Sequence, residues 1–170
     1  MIEKRHINNF LLFLAGCALG IGASVYVFIR GPETLYVLQW FGDLPRLAPW
    51  VHASGDLRAL VSMLPSATHA FAFSLLTALL LQPGRYAVIH ACLLWGIIDS
   101  AFECLQAGKS FLGAHGADEL LPRVAHAYIA NGVFDWFDIG AIWIGVGLAA
   151  LTLQLIRLPE HRGDERCRFA

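Results

Sequence analysis

Along this chain the apolar residues gather into four long blocks, separated by stretches that carry charge, proline and glycine. Each block approaches the roughly 20 helical residues needed to cross the hydrocarbon core of a bilayer. They lie near residues 8–29, 65–82, 86–106 and 134–157. The first, "NNFLLFLAGCALGIGASVYVFI", runs into Arg30-Gly31-Pro32, a charge followed by two residues that stop a helix. Its Gly16, Gly20 and Gly22 predict close helix contact, with Gly16 and Gly20 at small-xxx-small spacing. The second and shortest opens on Pro65, where a missing N–H does no harm. Gln82-Pro83-Gly84-Arg85 predicts a tight turn, so the second and third spans form an antiparallel hairpin.

The two longer connections are not plain polar loops. "TLYVLQWFGDLPRLAPW" carries Trp40 and Trp50, and "ADELLPRVAHAYIANG" interleaves apolar residues with charge. Both predict interfacial or amphipathic segments, since tryptophan and tyrosine favour the membrane–water boundary. Re-entry of the first connection into the membrane is the competing expectation; Asp43, Arg46 and the prolines and glycines interrupt its apolar runs.

Composition sharpens the class. Hydrophobic residues make up 57% of the chain and charged residues 15%, with a mean hydropathy of +0.59. Such a balance is that of an integral membrane protein. The fold class expected is therefore an all-α membrane protein, a bundle of four transmembrane helices forming a single domain over 1–170. A net charge of -1 provides no general basic surface, which argues against nucleic acid as a partner. Membrane lipid, a membrane-borne substrate or another membrane protein remain.

The basic residues orient the bundle. Lys4, Arg5, Arg85, Arg157, Arg162, Arg166 and Arg168 flank one side densely; Arg30, Arg46, Arg58, Lys109 and Arg123 are spread along the longer segments of the other. The positive-inside rule then places both termini and the turn at Arg85 in the cytoplasm of a bacterial inner membrane. Leu14-Ala15-Gly16-Cys17 imitates a lipoprotein cleavage box, but the apolar run continues to Ile29, which predicts an uncleaved first span. The other cysteines show no CxxC spacing, and Cys92 and Cys104 are expected to pack as small apolar residues.

With the spans placed, the charges inside them fall at one depth. His69 lies about one turn into the second span, Asp99 and Glu103 in the last two turns of the third, and Asp135 and Asp138 in the first turn of the fourth. Spacings of four and three put Asp99, Glu103 and Gln106 on one helix face, and Asp135 and Asp138 share a face in the same way. Even the lenient insertion scale makes a carboxylate at a helix centre cost about 3 kcal/mol, so such groups face a bundle interior or wet cavity. Helix capping would account for one or both of Asp135 and Asp138. It does not account for Asp99 and Glu103, which sit toward a helix C-terminus, where acidic charge is disfavoured. His90 lies near the opposite end of the third span from His69, so the two cannot share a haem.

"THAFAFSLL", then "ECLQ", then "FDWFDIGAIWIG" resembles the pattern of the VanZ-like membrane proteins, with a histidine-phenylalanine pair, an E-x-x-Q and a D-x-x-D leading to asparagine and glycine. The matching positions are His69, Glu103, Gln106, Asp135, Asp138 and Gly145, within residues 65–150. The asparagine position holds Ile142. The resemblance implies a bacterial envelope protein associated with low-level glycopeptide (teicoplanin) resistance, of unsettled biochemical activity. Two kinds of chemistry are open. In one, Glu103, Asp135 and Asp138 hold a divalent metal ion, with His69 as ligand or general base, and the protein acts on a lipid headgroup or lipid-linked cell-wall precursor. His115 and His126 would complete such a site if their connection covered it. In the other, the same residues bind a cationic or lipid-linked envelope group without catalysis.

Overall fold

The computed structural model describes residues 2–25, 28, 61–81, 85–108 and 134–167. These form four helices: α1 (Ile2–Val25), α2 (Leu64–Leu80), α3 (Arg85–Ala107) and α4 (Trp136–Cys167), with no strand among the described residues. The expected interfacial or re-entrant course of the first connection, and any cover from His115 or His126, lie outside the described residues.

Three helices are long and apolar enough to cross a membrane, over Arg5–Val25, Tyr86–Ala107 and Trp136–Ile156. The apolar α2 is shorter, with 17 residues. At 1.5 Å per residue it measures about 26 Å, just under the hydrocarbon thickness. Its place in the bundle follows from its side chains. Ala70, Ala72, Ser74, Leu75 and Ala78 are completely buried, and Ala70, Ser74 and Ala78 recur at every fourth position as one low ridge. Small side chains let neighbouring backbones approach closely, the main device for packing helices where lipid is as apolar as the interface. α2 accordingly packs against α1, α3 and α4, and α3 and α4 also pack on each other.

Glycines fix these contacts. A Cβ on Gly145 of α4 would collide with the Ala67 carbonyl oxygen of α2. Gly22 of α1 faces Pro65 and Thr68, and Gly96 of α3 receives the indole ring of Trp143. Gly16 and Gly20 depart from expectation, since a Cβ on either would meet nothing within 4 Å among the described residues. Both lie on the exposed side of α1, because the face that meets α2 carries Leu11, Ala15, Ala18, Gly22 and Val25 instead.

Pairings along the helices give their directions. His69 meets Asp99 and Thr77 meets Trp95, so α2 and α3 are antiparallel, as the predicted hairpin requires. Ser66 meets Asp138 and Ala67 meets Gly145, so α4 runs parallel to α2. Leu11, Leu75, Ile142 and Leu153 form the fully buried apolar centre, while Phe13, Ile97, Ile144 and Leu155 stand on the outer surface. An apolar core wrapped by an apolar exterior is what a bilayer solvent selects.

Two helices extend beyond their apolar blocks. α1 begins at Ile2 rather than residue 8, and α4 continues to Cys167, well beyond residue 157. Apolarity reports where lipid begins; hydrogen bonding reports where the helix ends, and polar residues propagate a helix that lipid has already stabilised. The 32 residues of α4 measure about 48 Å, more than the thickness of a hydrocarbon core, and the apolar stretch within it ends at Ile156.

Candidate functional site

The first turns of α2, the last turns of α3 and the first turns of α4 meet at one end of the bundle, and the polar residues collect there. α2 supplies the links. His69 Nδ1 stands 3.2 Å from Asp99 Oδ2 on α3, and the Ser66 hydroxyl donates to Asp138 Oδ1 on α4 at 3.0 Å. Three residues apart on one helix, Ser66 and His69 thus each engage a carboxylate of a different neighbour.

Below Asp99 on α3 the polarity continues inward from the lipid. Glu103 and Gln106 are each only 4% exposed, and the Gln106 amide donates to Glu103 Oε1 at 3.3 Å. Their i,i+3 spacing sets this pair locally, and the face shared with Asp99 turns it into the bundle, as the spacing predicts. Glu103 is the most deeply buried carboxylate of the group among the described residues. It lies one turn, about 6 Å, beyond Asp99 toward the same end.

His69 is held by more than Asp99. Its ring packs on Phe73 with centroids 4.4 Å apart and meets Trp95 edge-on at 6.0 Å, while Phe73 and Trp95 lie 4.6 Å apart. The Trp95 indole N–H donates to Thr77 Oγ1 at 2.7 Å, returning the ring to α2. Trp95, Phe73 and Thr77 carry no charge to single them out, although their signal is in the sequence. His69, Phe73 and Thr77 are spaced i, i+4, i+8 on α2, and Trp95 and Asp99 are spaced i, i+4 on α3. The His69 side chain retains 46% exposure, against 12% for Asp99.

The two aspartates of "FDWFD" separate in role. Asp135 is the N-cap of α4, its Oδ1 accepting the Phe137 N–H at 2.9 Å and its carbonyl the Asp138 N–H at 3.1 Å. Asp138, in the first helical turn, reaches across to Ser66. Capping therefore accounts for the first aspartate and an interhelix contact for the second. Trp136 and Phe137 stand strongly exposed beside them, and Tyr86 does so at the far end of α3, positions suited to the two interfacial aromatic belts.

Among the described residues, no group of three or more histidine, cysteine, aspartate and glutamate side chains comes together to hold a metal ion. The joint ligand set expected from His69, Glu103, Asp135 and Asp138 is not assembled in this arrangement. His69 turns to Asp99, Asp138 to Ser66, and Asp135 to its own helix backbone. Ile142, at the position where the resembled pattern has asparagine, is 1% exposed and belongs to the apolar core. Cys104 lies on the exposed side of α3 rather than packing inward, whereas Cys92 is buried as expected. His90 is exposed near the opposite end of α3.

Fold and site together define, among the described residues, a helical bundle with three helices long and apolar enough to cross a membrane and a polar cluster at one end of the α2–α3–α4 contact. No family model, curated protein or solved structure matches the chain.

Proposed function

We propose that this is a VanZ-like multi-pass protein of the bacterial inner membrane that binds a cell-envelope group, lipid-linked or cationic, at the end of the bundle formed by Ser66, His69, Asp99, Glu103, Gln106 and Asp138. One observation carries the reading: a glutamate buried to 4% exposure stands one turn along α3 from Asp99, whose partner His69 is half-exposed. Interhelical polar contacts in membranes average only about 0.6 kcal/mol each, so stability alone is a weak return for keeping these charges. A hydrogen-bonding or cationic guest arriving from the headgroup region gives them a use. The dense basic residues at the opposite end, Arg85 and the two termini, orient this site outward.

Binding is favoured over metal-dependent catalysis because, among the described residues, no three histidine, cysteine or carboxylate side chains gather around a common centre. The exposed half of His69 and the buried acid of Glu103 suit a hydroxyl or amine donor, such as a lipid-linked cell-wall precursor carries. The link to glycopeptide response is tested by expressing the wild type and the Asp99→Asn and Glu103→Gln variants at equal membrane levels in a teicoplanin-susceptible bacterium. The wild type is expected to raise the teicoplanin concentration needed to stop growth, and the variants to lose that effect. No effect from the wild type would remove the resistance part of the proposal.

A further inference from the structure

The surroundings of His69 are more specific than a charge pair requires. A neutral imidazole carries its proton on one nitrogen, and which one is decided by the partner of the other. Nδ1 lies 3.2 Å from Asp99 Oδ2, an acceptor when ionised, whereas Nε2 meets no hydrogen-bonding partner among the described residues. Asp99 is mostly enclosed, while the His69 side chain is half open. The ring plane is fixed independently by Phe73 and Trp95, and Trp95 is itself fixed by its bond to Thr77. Three layers therefore converge on one imidazole: a carboxylate at Nδ1, two aromatic rings packed against it, and a hydroxyl that anchors the larger aromatic ring.

We infer that Asp99 holds His69 as its Nδ1–H tautomer, with Phe73 and the Thr77-anchored Trp95 as positioning residues, so that Nε2 is the accepting nitrogen offered to the guest of this site. The guest then presents an O–H or N–H to Nε2. This deepens the binding function proposed above and rests on it only for the identity of that guest. An imidazole fixed in this way accepts a hydrogen bond along one direction, which selects a hydroxyl or amine and disfavours a bare carboxylate or phosphate.

The test is ¹⁵N NMR on protein labelled only at histidine, in detergent micelles at a pH where free imidazole is neutral, about 8.5. The signal of His69 among the seven histidines is assigned by its loss in His69→Gln. The wild type is expected to show a protonated, pyrrole-type Nδ1 and a bare, pyridine-type Nε2. Asp99→Asn is expected to lose that preference and shift toward the Nε2–H form. Thr77→Val, which keeps the shape and removes the acceptor, is expected to split or broaden the His69 signals, and Thr77→Ser to restore them. A wild-type His69 protonated on Nε2, or one indifferent to Asp99→Asn, overturns the inference. A Thr77→Val spectrum identical to wild type overturns the positioning role of Trp95. These spectra need no ligand and no resistance phenotype, so their failure is separable from failure of the proposed function. With His69 assigned, the wild-type spectrum decides the tautomer even if an Asp99 or Thr77 variant does not fold.

Discussion

Replacing Gly145 with alanine tests the contact on which the site's α2–α4 side depends. The added Cβ would collide with the Ala67 carbonyl oxygen and stand 2.9 Å from its carbonyl carbon and 3.1 Å from its Cα. Carbon atoms pack without strain at about 3.5–4.0 Å. All three neighbours are backbone atoms of α2, so no side chain can rotate away, and the helices must separate by on the order of 1 Å. Overpacking of this kind costs about 1–3 kcal/mol. Alanine recovers up to about 1 kcal/mol through its better helix propensity. A net loss of about 1–2 kcal/mol lowers the folded-to-unfolded ratio roughly 5- to 30-fold. The companion is Gly147→Ala, two residues along the same helix, where a Cβ meets nothing within 4 Å among the described residues. It is expected to be neutral or slightly stabilising. Both are compared by unfolding in mixed micelles titrated with sodium dodecyl sulfate, followed by tryptophan fluorescence. Because Ser66 and Asp138 join across the same helix pair, Gly145→Ala should also weaken ligand binding. Equal stability of the two variants would refute the close α2–α4 approach at Ala67.

Asp135→Ala should cost about 1 kcal/mol in the same unfolding assay by removing the α4 N-cap, and Asp135→Asn should cost less; equal losses would deny the capping role. Purified wild type is expected to carry no stoichiometric divalent metal by mass spectrometry, and added divalent ions to leave its Tm unchanged; a bound equivalent of metal would reopen the ligand set of His69, Glu103, Asp135 and Asp138. In a background with the four native cysteines replaced, a membrane-impermeant thiol reagent should label Gly113→Cys and spare Gly84→Cys on intact cells. Labelling of Gly84→Cys alone would reverse the orientation.

The length and apolarity of the blocks made the four helices legible, and the turn residues after Leu81 made the α2–α3 hairpin legible. Periodicity placed Asp99, Glu103 and Gln106 on one face, which holds because an i,i+3 or i,i+4 relation survives any tertiary packing. What the sequence concealed depends on which neighbour a face meets. Gly16 and Gly20 carry the spacing of a helix contact, yet Gly22 makes it, because the rotation of α1 is set by Leu11 and Ala15 docking on α2. The central place of α2 is written in its alanines and serines, a signal weaker than charge. Asp135 and Asp138 look equivalent at i,i+3 spacing, and only the start of α4 at Trp136 makes one a cap and the other an interhelix acceptor. Thr77 and Trp95 lie 18 residues apart, and although each shares a helix face with His69 or Asp99, their bond depends on the register of the α2–α3 hairpin.

The central claim is that the polar end of α2, α3 and α4 binds an envelope group, and its most direct measurement is native mass spectrometry of the protein in lipid nanodiscs titrated with a lipid-linked cell-wall precursor. The wild type is expected to retain one precursor molecule, and Asp99→Asn and Glu103→Gln, at matched thermal stability, to lose it. Retention by the variants equal to the wild type, or no retention by any of them, would contradict the account.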